Sequence, residues 1–305
     1  MKKYLTKENI IIITVVVALI IACIVWIAAR PGGNPGSDSD SSVIDKTEPP
    51  KTTEDLMKRA AEELSSVESF QFDSNMSMTL SSEGETMDMI VSVTQFFNRN
   101  SDVGKVISSM TMGNMGSYST TSYIEKKGEN YNVYSSSDGG IQWTKETAVS
   151  ADELPVGDPS ESLLPFLTGI DNYKKSGDEE IAGVKTTRYE CVVSSEEMEE
   201  TLKNSGALDQ LSGEEISEKD IKEICSKLEG LKFSVWIGKD DYRPYRFFMD
   251  MGNLLTTMSE LSGQDEESQQ TMEMVDKVTM SYDITAYNQL DDIKVPKEAK
   301  NAEEA

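Results

Sequence analysis

Between Phe70 and Phe97 the chain keeps a period of two, and no other feature constrains its fold as much. Phe70, Phe72, Ser74, Met76, Met78 and Leu80 alternate with Gln71, Asp73, Asn75, Ser77 and Thr79. Successive side chains point to opposite faces of a strand, so this pattern describes a strand with one buried and one wet face. Ser81 to Glu85, with Gly84, reads as a turn. The next strand places Met87, Met89, Val91, Val93 and Phe97 on one face. A helix cannot satisfy this spacing, and two such strands joined by a tight turn are antiparallel.

The pattern repeats along the chain. Val106, Ser108, Met110 and Met112 share a third strand face, and Tyr118 to Glu125 alternates more weakly. Tyr131, Val133 and Ser135 begin a further strand. Asp138-Gly139-Gly140 signals a turn, and Ile141, Trp143 and Lys145 are expected on the strand that follows it. Strand pattern returns at Lys185–Val193 with Tyr189, Cys191 and Val193 on one face. It recurs at Leu231, Phe233, Val235 and Ile237, then at Phe247, Met249 and Met251, and finally at Val278, Met280, Tyr282, Ile284 and Ala286. This predicts an α+β fold dominated by a meander of about ten or eleven strands.

Helices interrupt the strands in few places. Leu56, Ala60, Leu64 and Val67 recur at helical spacing, predicting a helix from about Thr53 to Ser66, with Glu54 and Asp55 at its favourable start. Asp158-Pro159-Ser160-Glu161 opens a second helix, carrying Leu163, Leu164, Phe166 and Leu167 and limited by Pro165. Ser194 to Glu197 can open another. Glu218–Leu228 is expected to be helical, and Ser259–Gln270 to be a solvated loop.

Ile10–Ala29 is an uncharged apolar run of 20 residues, which as a helix spans roughly 30 Å, the thickness of a bilayer core. Lys2, Lys3 and Lys7 precede it; beyond Arg30 the chain turns acidic. This bias retains the N-terminus in the cytoplasm and places the rest outside. The chain is therefore expected to be a single-pass cell-membrane protein with its main domain extracytoplasmic. The division is a cytoplasmic segment 1–9, an uncleaved signal anchor 10–29, a flexible linker 30–52 rich in Pro, Gly, Ser and Asp, a folded domain 53–299 and an acidic tail 300–305. Two other readings of the apolar run stay open. A cleaved signal peptide usually has a core of about 7–15 residues and a small-residue site, which this run lacks. Ile20-Ile21-Ala22-Cys23 loosely resembles a bacterial lipobox, which would make Cys23 the lipidated residue, although Ile24-Val25-Trp26-Ile27 continues the apolar run.

Composition narrows the chemistry. The 305 residues include no histidine, 29 Lys+Arg and 54 Asp+Glu, for a net charge of -25. Without histidine there is no Ser-His-Asp or Cys-His pair and no HExxH zinc site. Three cysteines are too few for an all-thiolate zinc centre. The acidic balance repels nucleic acid. Residues 1–30 hold four Lys/Arg and one Glu, so the external part carries nearly all the negative charge and is not drawn to an anionic membrane surface. EF-hand and Walker A loops are absent. Neither a metal, a cofactor nor an enzymatic activity is expected.

Two groups of residues stand out. Met76, Met78, Met87, Met89, Met110, Met112, Met249, Met251 and Met280 all fall on predicted strand faces. Flexible thioethers fill ordinary cores, and they also adapt to apolar ligands of variable shape. Cys191 and Cys225 are the only cysteines beyond the apolar run. Outside the cytoplasm they could form a disulfide, and in apolar surroundings they could equally remain two buried thiols.

Tyr282-Asp283-Ile284-Thr285-Ala286-Tyr287-Asn288, followed by Ile293-Lys294-Val295-Pro296-Lys297-Glu298-Ala299, resembles the ending of bacterial surface proteins of the LolA/LppX-like lipoprotein superfamily. The opening helix leading into Ser66-Val67-Glu68-Ser69-Phe70 and the turn-plus-Trp element at Asp138 to Trp143 fit the same pattern. The resemblance implies a strongly curved eleven-stranded antiparallel sheet, a half-open barrel with helices on its concave face. Known members bind acyl chains of lipids or lipoproteins in that cavity, and some related domains bind or sense proteins. No family ligand residue aligns here. The expected role is non-catalytic binding of a lipid or other apolar ligand, and the alternative is a cell-surface protein-interaction or signalling module with a packed core.

Overall fold

The structure, a computed structural model, describes residues 48–82, 85–113, 116–150, 154, 159–197, 226, 231–250 and 275–304. The apolar run 10–29, with Cys23, lies outside them, as do Cys225, Met251 and the segments 218–225 and 259–270. Among the described residues no helix is long and apolar enough to cross a membrane.

Helix α1 (Thr53–Ser65) opens the domain. Thr52 caps it: its hydroxyl accepts from the Asp55 amide while the Asp55 carboxylate accepts from the Thr52 amide. This reciprocal box satisfies two of the amides that every helix start leaves without a partner. Met57, Ala60, Ala61 and Leu64 are buried along one stripe.

Six strands follow in a meander: β1 (Ser69–Ser82), β2 (Glu85–Asn98), β3 (Val103–Met112), β4 (Gly116–Lys127), β5 (Asn130–Ser136) and β6 (Thr144–Val149). Helix α2 (Pro159–Thr168) comes next. A second meander contains β7 (Lys174–Ile181), β8 (Val184–Val193), β9 (Leu231–Gly238), β10 (Pro244–Asp250) and β11 (Val275–Thr285), and a short helix α3 (Lys297–Lys300) lies near the end. All eleven strands form one curved antiparallel sheet in the order β6-β5-β4-β3-β2-β1-β11-β10-β9-β8-β7.

The order explains where the helices lie. The two meanders are joined at the centre by pairing of β1 with β11, the first strand with the last. β6 and β7 are consecutive in sequence but occupy opposite edges. The connection between them must therefore cross the sheet, and it carries α2. Phe166 of α2 stacks on Phe233 of β9 with centroids 4.9 Å apart. α1 and α2 pack together, with α1 against β10. Leu163 and Leu167 join Leu64, Phe70, Phe247 and Ile284 in the main core. The sheet face that carries this core is called inner below.

The opposite, outer face of the central strands is polar. Arg246 chelates Asp283 with two hydrogen bonds, Arg188 lies 4.9 Å over the Trp236 ring, and the Trp236 indole N–H donates to Glu179 at 3.0 Å. These pairs cover the outer face of β9 and the main core covers its inner face, so the strand is buried along almost its whole length.

Two expectations need correction. Ile141 and Trp143 are not in a strand. The Asp138 carboxylate accepts from the amides of Ile141 and Gln142, so the donors a ladder would use are already engaged. Ile141 projects outward, 81% exposed, and β6 begins only at Thr144. β7 was not expected, because its sequence Lys-Lys-Ser-Gly-Asp-Glu-Glu-Ile has no apolar alternation. It is an edge strand exposed along most of its length, where charge prevents unwanted pairing rather than spoiling a core. The turn Ala182-Gly183, with φ of 50° and 82°, then closes a two-residue hairpin of the primed type that suits strand twist.

After β11 the chain becomes a strap. Ala286 and Asn288 take positive φ, and the Asn288 side chain accepts from the amides of Glu68 and Ser69. Tyr287 donates to the Pro244 carbonyl. The strap then reaches the outer face of β3–β6, where Val295 and Ala299 pack with Val103, Tyr123, Tyr134 and Trp143 in a second core. Glu125, almost buried there, accepts from Tyr134 at 3.1 Å and from Lys300 at 3.3 Å, with Lys127 at 3.2 Å. Glu304 bonds Thr147 and bridges to Lys145 on the edge strand.

Burial pushes the Glu125 carboxyl up, but the bonds from Lys127, Tyr134 and Lys300 together hold it below the ordinary carboxylate range. A depressed folded value means that the stabilisation is present above the unfolded value, about 4.3, and is lost as pH falls through the folded one. Glu125→Gln should cost about 1–2 kcal/mol at neutral pH. The gap between variant and parent should close on acidification below about pH 4, as read by urea midpoints at a series of pH values.

Candidate functional site

The strand registers bring the nominated methionines other than Met251, which lies outside the described residues, onto one face. Met76 pairs with Met280, which pairs with Met249. On the other side Met76 faces Val91, which faces Met110. The result is a continuous row Met110–Val91–Met76–Met280–Met249 across five strands. Two residues further along runs a second row, Met112–Met89–Met78–Val278, with Met87 opposite Leu80 beyond it. Adjacent strands lie about 4.8 Å apart, so the first row is roughly 19 Å long, about the length of an extended acyl chain.

Exposure is graded along these rows. Met76, Met78, Met89 and Met280 are fully buried, and Met249 nearly so. Met87, Met110 and Met112 are half-buried against the same core. All ten residues of β3 are of intermediate exposure, and Tyr118 on β4, opposite Met110, is 65% exposed. The helices thus close the inner face over β9–β11 and β1, while its apolar character continues past them onto β3. Within the closed part, the Tyr282 hydroxyl donates to the Met280 sulfur at 2.7 Å, and burial pushes the Tyr282 phenol up.

Cys191 is a buried thiol on the inner face of β8, and burial, only partly offset by Tyr173, pushes it up to about 12. Such a thiol is protonated and unreactive at neutral pH. Its proposed partner Cys225 lies outside the described residues. Among the described residues no group of three or more Asp, Glu, His or Cys could hold a metal ion.

Gln95 was missed by the hydrophobic pattern. It sits at the one inner position of β2 between Met87 and Phe97 that is not apolar, and it is 5% exposed. A polar side chain in phase with an apolar stripe was the available signal. Ser122 and Ser135, bonded to each other at 2.9 Å, share its side of the sheet.

Comparison with curated proteins gives no match. Among solved structures the chain is similar to LprF from Mycobacterium bovis, at 11% identity and a TM-score of 0.42, covering 81% of this chain and 97% of that one. It is similar to the lipoprotein LppX from Mycobacterium tuberculosis, at 13% identity and a TM-score of 0.39, covering 79% and 98%. The MucA/MucB complex of Pseudomonas aeruginosa is a further similar structure, at 12% identity and a TM-score of 0.26, covering 76% and 55%. Residues 52–304, the whole span from the Thr52 cap to the end of the strap, match the family of unknown function designated DUF6612, and the chain belongs to that family.

Proposed function

We propose that this protein is an extracytoplasmic binding domain, held at the cell membrane by residues 10–29, that takes up a lipid acyl chain or similar apolar ligand without transforming it. The observation that carries this reading is the graded methionine face, sealed under α1 and α2 at one end and half-open at Met87, Met110, Met112 and Tyr118. An acyl chain laid along these rows would cover the half-exposed thioethers, and the hydrophobic effect would drive its burial. Thioethers tolerate ligands of different shape because they repack at little cost. A tether at 10–29 suits local capture better than shuttling.

The protein-interaction alternative calls for a contiguous exposed apolar patch. The large apolar residues exposed among the described ones are Ile90, Tyr118, Ile141 and Val192, spread over β2, β4, a turn and β8. That distribution gives the alternative little support.

The test is photolabelling of the full-length protein in detergent with a diazirine fatty acid, followed by peptide mapping. Adducts are expected around Met87, Met110, Met112 and Tyr118. Met110→Trp, which fills the open part of the row, should reduce them about tenfold, equivalent to about 1.4 kcal/mol, while labelling of residues 10–29 persists. Labelling confined to residues 10–29, or unchanged in the variant, would sink the proposal.

A further inference from the structure

Beside the methionine rows the inner face changes character without becoming charged. The register continues Phe72–Gln95–Val106–Ser122–Ser135–Thr144 across six strands, and the next row contains Ser74, Val93, Ser108 and Thr120. These two rows form an uncharged band, roughly 7 Å wide, in which six hydroxyls and one amide are interspersed with Phe72, Val93 and Val106, and it directly adjoins Met76 and Met110. Val106, Ser108, Thr120 and Ser122 within it are half-exposed. Among the inner positions of β1, β2 and β3 the sequence places one charged residue, Glu85 at the far end of β2 beyond Met87, and the inner positions of β4 include one, Lys126 at its exposed end beyond Ile124. Arg99, just past the end of β2, already donates to the Val67 carbonyl and to Ser160.

Gln95 makes the band more than a polar edge. Its side-chain oxygen is buried and has no hydrogen-bond partner. A buried amide end left unpaired is costly, and turning the amide over merely exchanges an unpaired acceptor for an unpaired donor. Either way an uncharged hydrogen-bonding group brought in by a ligand would satisfy the position.

We infer that Gln95 is a specificity-determining residue, and that the band selects a lipid whose polar part is uncharged and carries hydroxyls, an acylglycerol, over a fatty acid or an anionic phospholipid. This rests on the reading that the methionine rows hold an acyl chain. The glyceryl hydroxyls would bond Gln95 and the neighbouring Ser108, Thr120 and Ser122, with the acyl chain along the half-open Met110 and Met112. A carboxylate or phosphate placed there would lose its water and meet no cation.

The experiment uses the full-length protein in detergent, labelled with a diazirine monoacylglycerol and competed with unlabelled monooleoylglycerol, oleate or phosphatidylglycerol. Monooleoylglycerol is expected to displace the label at about tenfold lower concentration than either anion, the advantage of one or two buried hydrogen bonds. Gln95→Leu should bring monooleoylglycerol and oleate within about twofold of each other, and its thermal midpoint should not fall, because it removes an unpaired polar group. Ser108→Val should narrow the preference in the same direction. Equal competition by oleate in the parent protein, or an unchanged preference in Gln95→Leu, overturns the role of Gln95 while leaving acyl binding in place. Failure of every probe to label residues 85–124 overturns both.

Discussion

Replacing Phe233 by alanine should cost about 3–5 kcal/mol of folding stability, one of the two largest effects expected in this domain. Phe233 is fully buried on the inner face of β9. Its ring stacks on Phe166 at 4.9 Å, tilts against Phe247 at 5.9 Å and meets Tyr173 edge-on at 6.3 Å. It therefore joins the crossing helix α2 and the segment that runs on from it into β7 to the β9–β10 hairpin, about sixty residues further along the chain. Alanine would remove the aromatic contacts and leave a cavity whose walls are held by eleven paired strands, so little collapse can relieve it. The measurement is urea unfolding of the full-length protein, with a lowered midpoint at unchanged slope. Phe233→Leu, which keeps most of the volume, should cost only about 1 kcal/mol. A midpoint for Phe233→Ala within the equivalent of about 1 kcal/mol of the parent would mean that α2 is not docked on β9 in solution.

The sheet was largely legible in the sequence, and the reason is one-sided burial. Where one strand face is wet and the other dry, as in β1 and β2, alternation reports both the strand and which residues face the core, and Met76, Met89 and Met280 could be placed on one surface from their phase alone. The signal fails where that asymmetry fails. β7 is wet on both faces, so its acids and lysines carry no period. β9 is dry on both, because Arg188 and Arg246 flank Trp236 on the outer side; its alternate residues Leu231, Phe233, Val235 and Ile237 still betrayed it. At Asp138 a side chain took over the backbone donors, which no apolar count detects. For the candidate site, the methionines were visible as a composition and a phase. Their division into sealed and half-open parts depends on where α2 crosses, a tertiary fact. Gln95 was visible only as an exception to its own stripe, and its lack of a partner required the packed structure.

The strap supplies the second large effect, and it separates local from global stability. Ala299 is completely buried against the outer-face cluster of Tyr134 and Trp143. Ala299→Glu would place an unpaired carboxylate there, at a cost of several kcal/mol if the strap stayed bound. The protein need not accept that cost, because the strap can detach while the main core on the other face stays intact. The free energy lost is therefore capped at what the strap contributes. Amides of the strap from Asn288 onward and of β6 are expected to lose about 100-fold in hydrogen-exchange protection, corresponding to about 2.7 kcal/mol, as Glu304 releases Lys145 and Thr147. Amides of β1, β2, β9 and β11 should keep theirs, because their shared core lies on the inner face and does not include Val295 or Ala299. A uniform loss across all eleven strands would show that the two cores unfold as one cooperative unit, and unchanged protection would show that Ala299 is not packed as described. Either result would end the view of the strap as a separable clasp on the outer face.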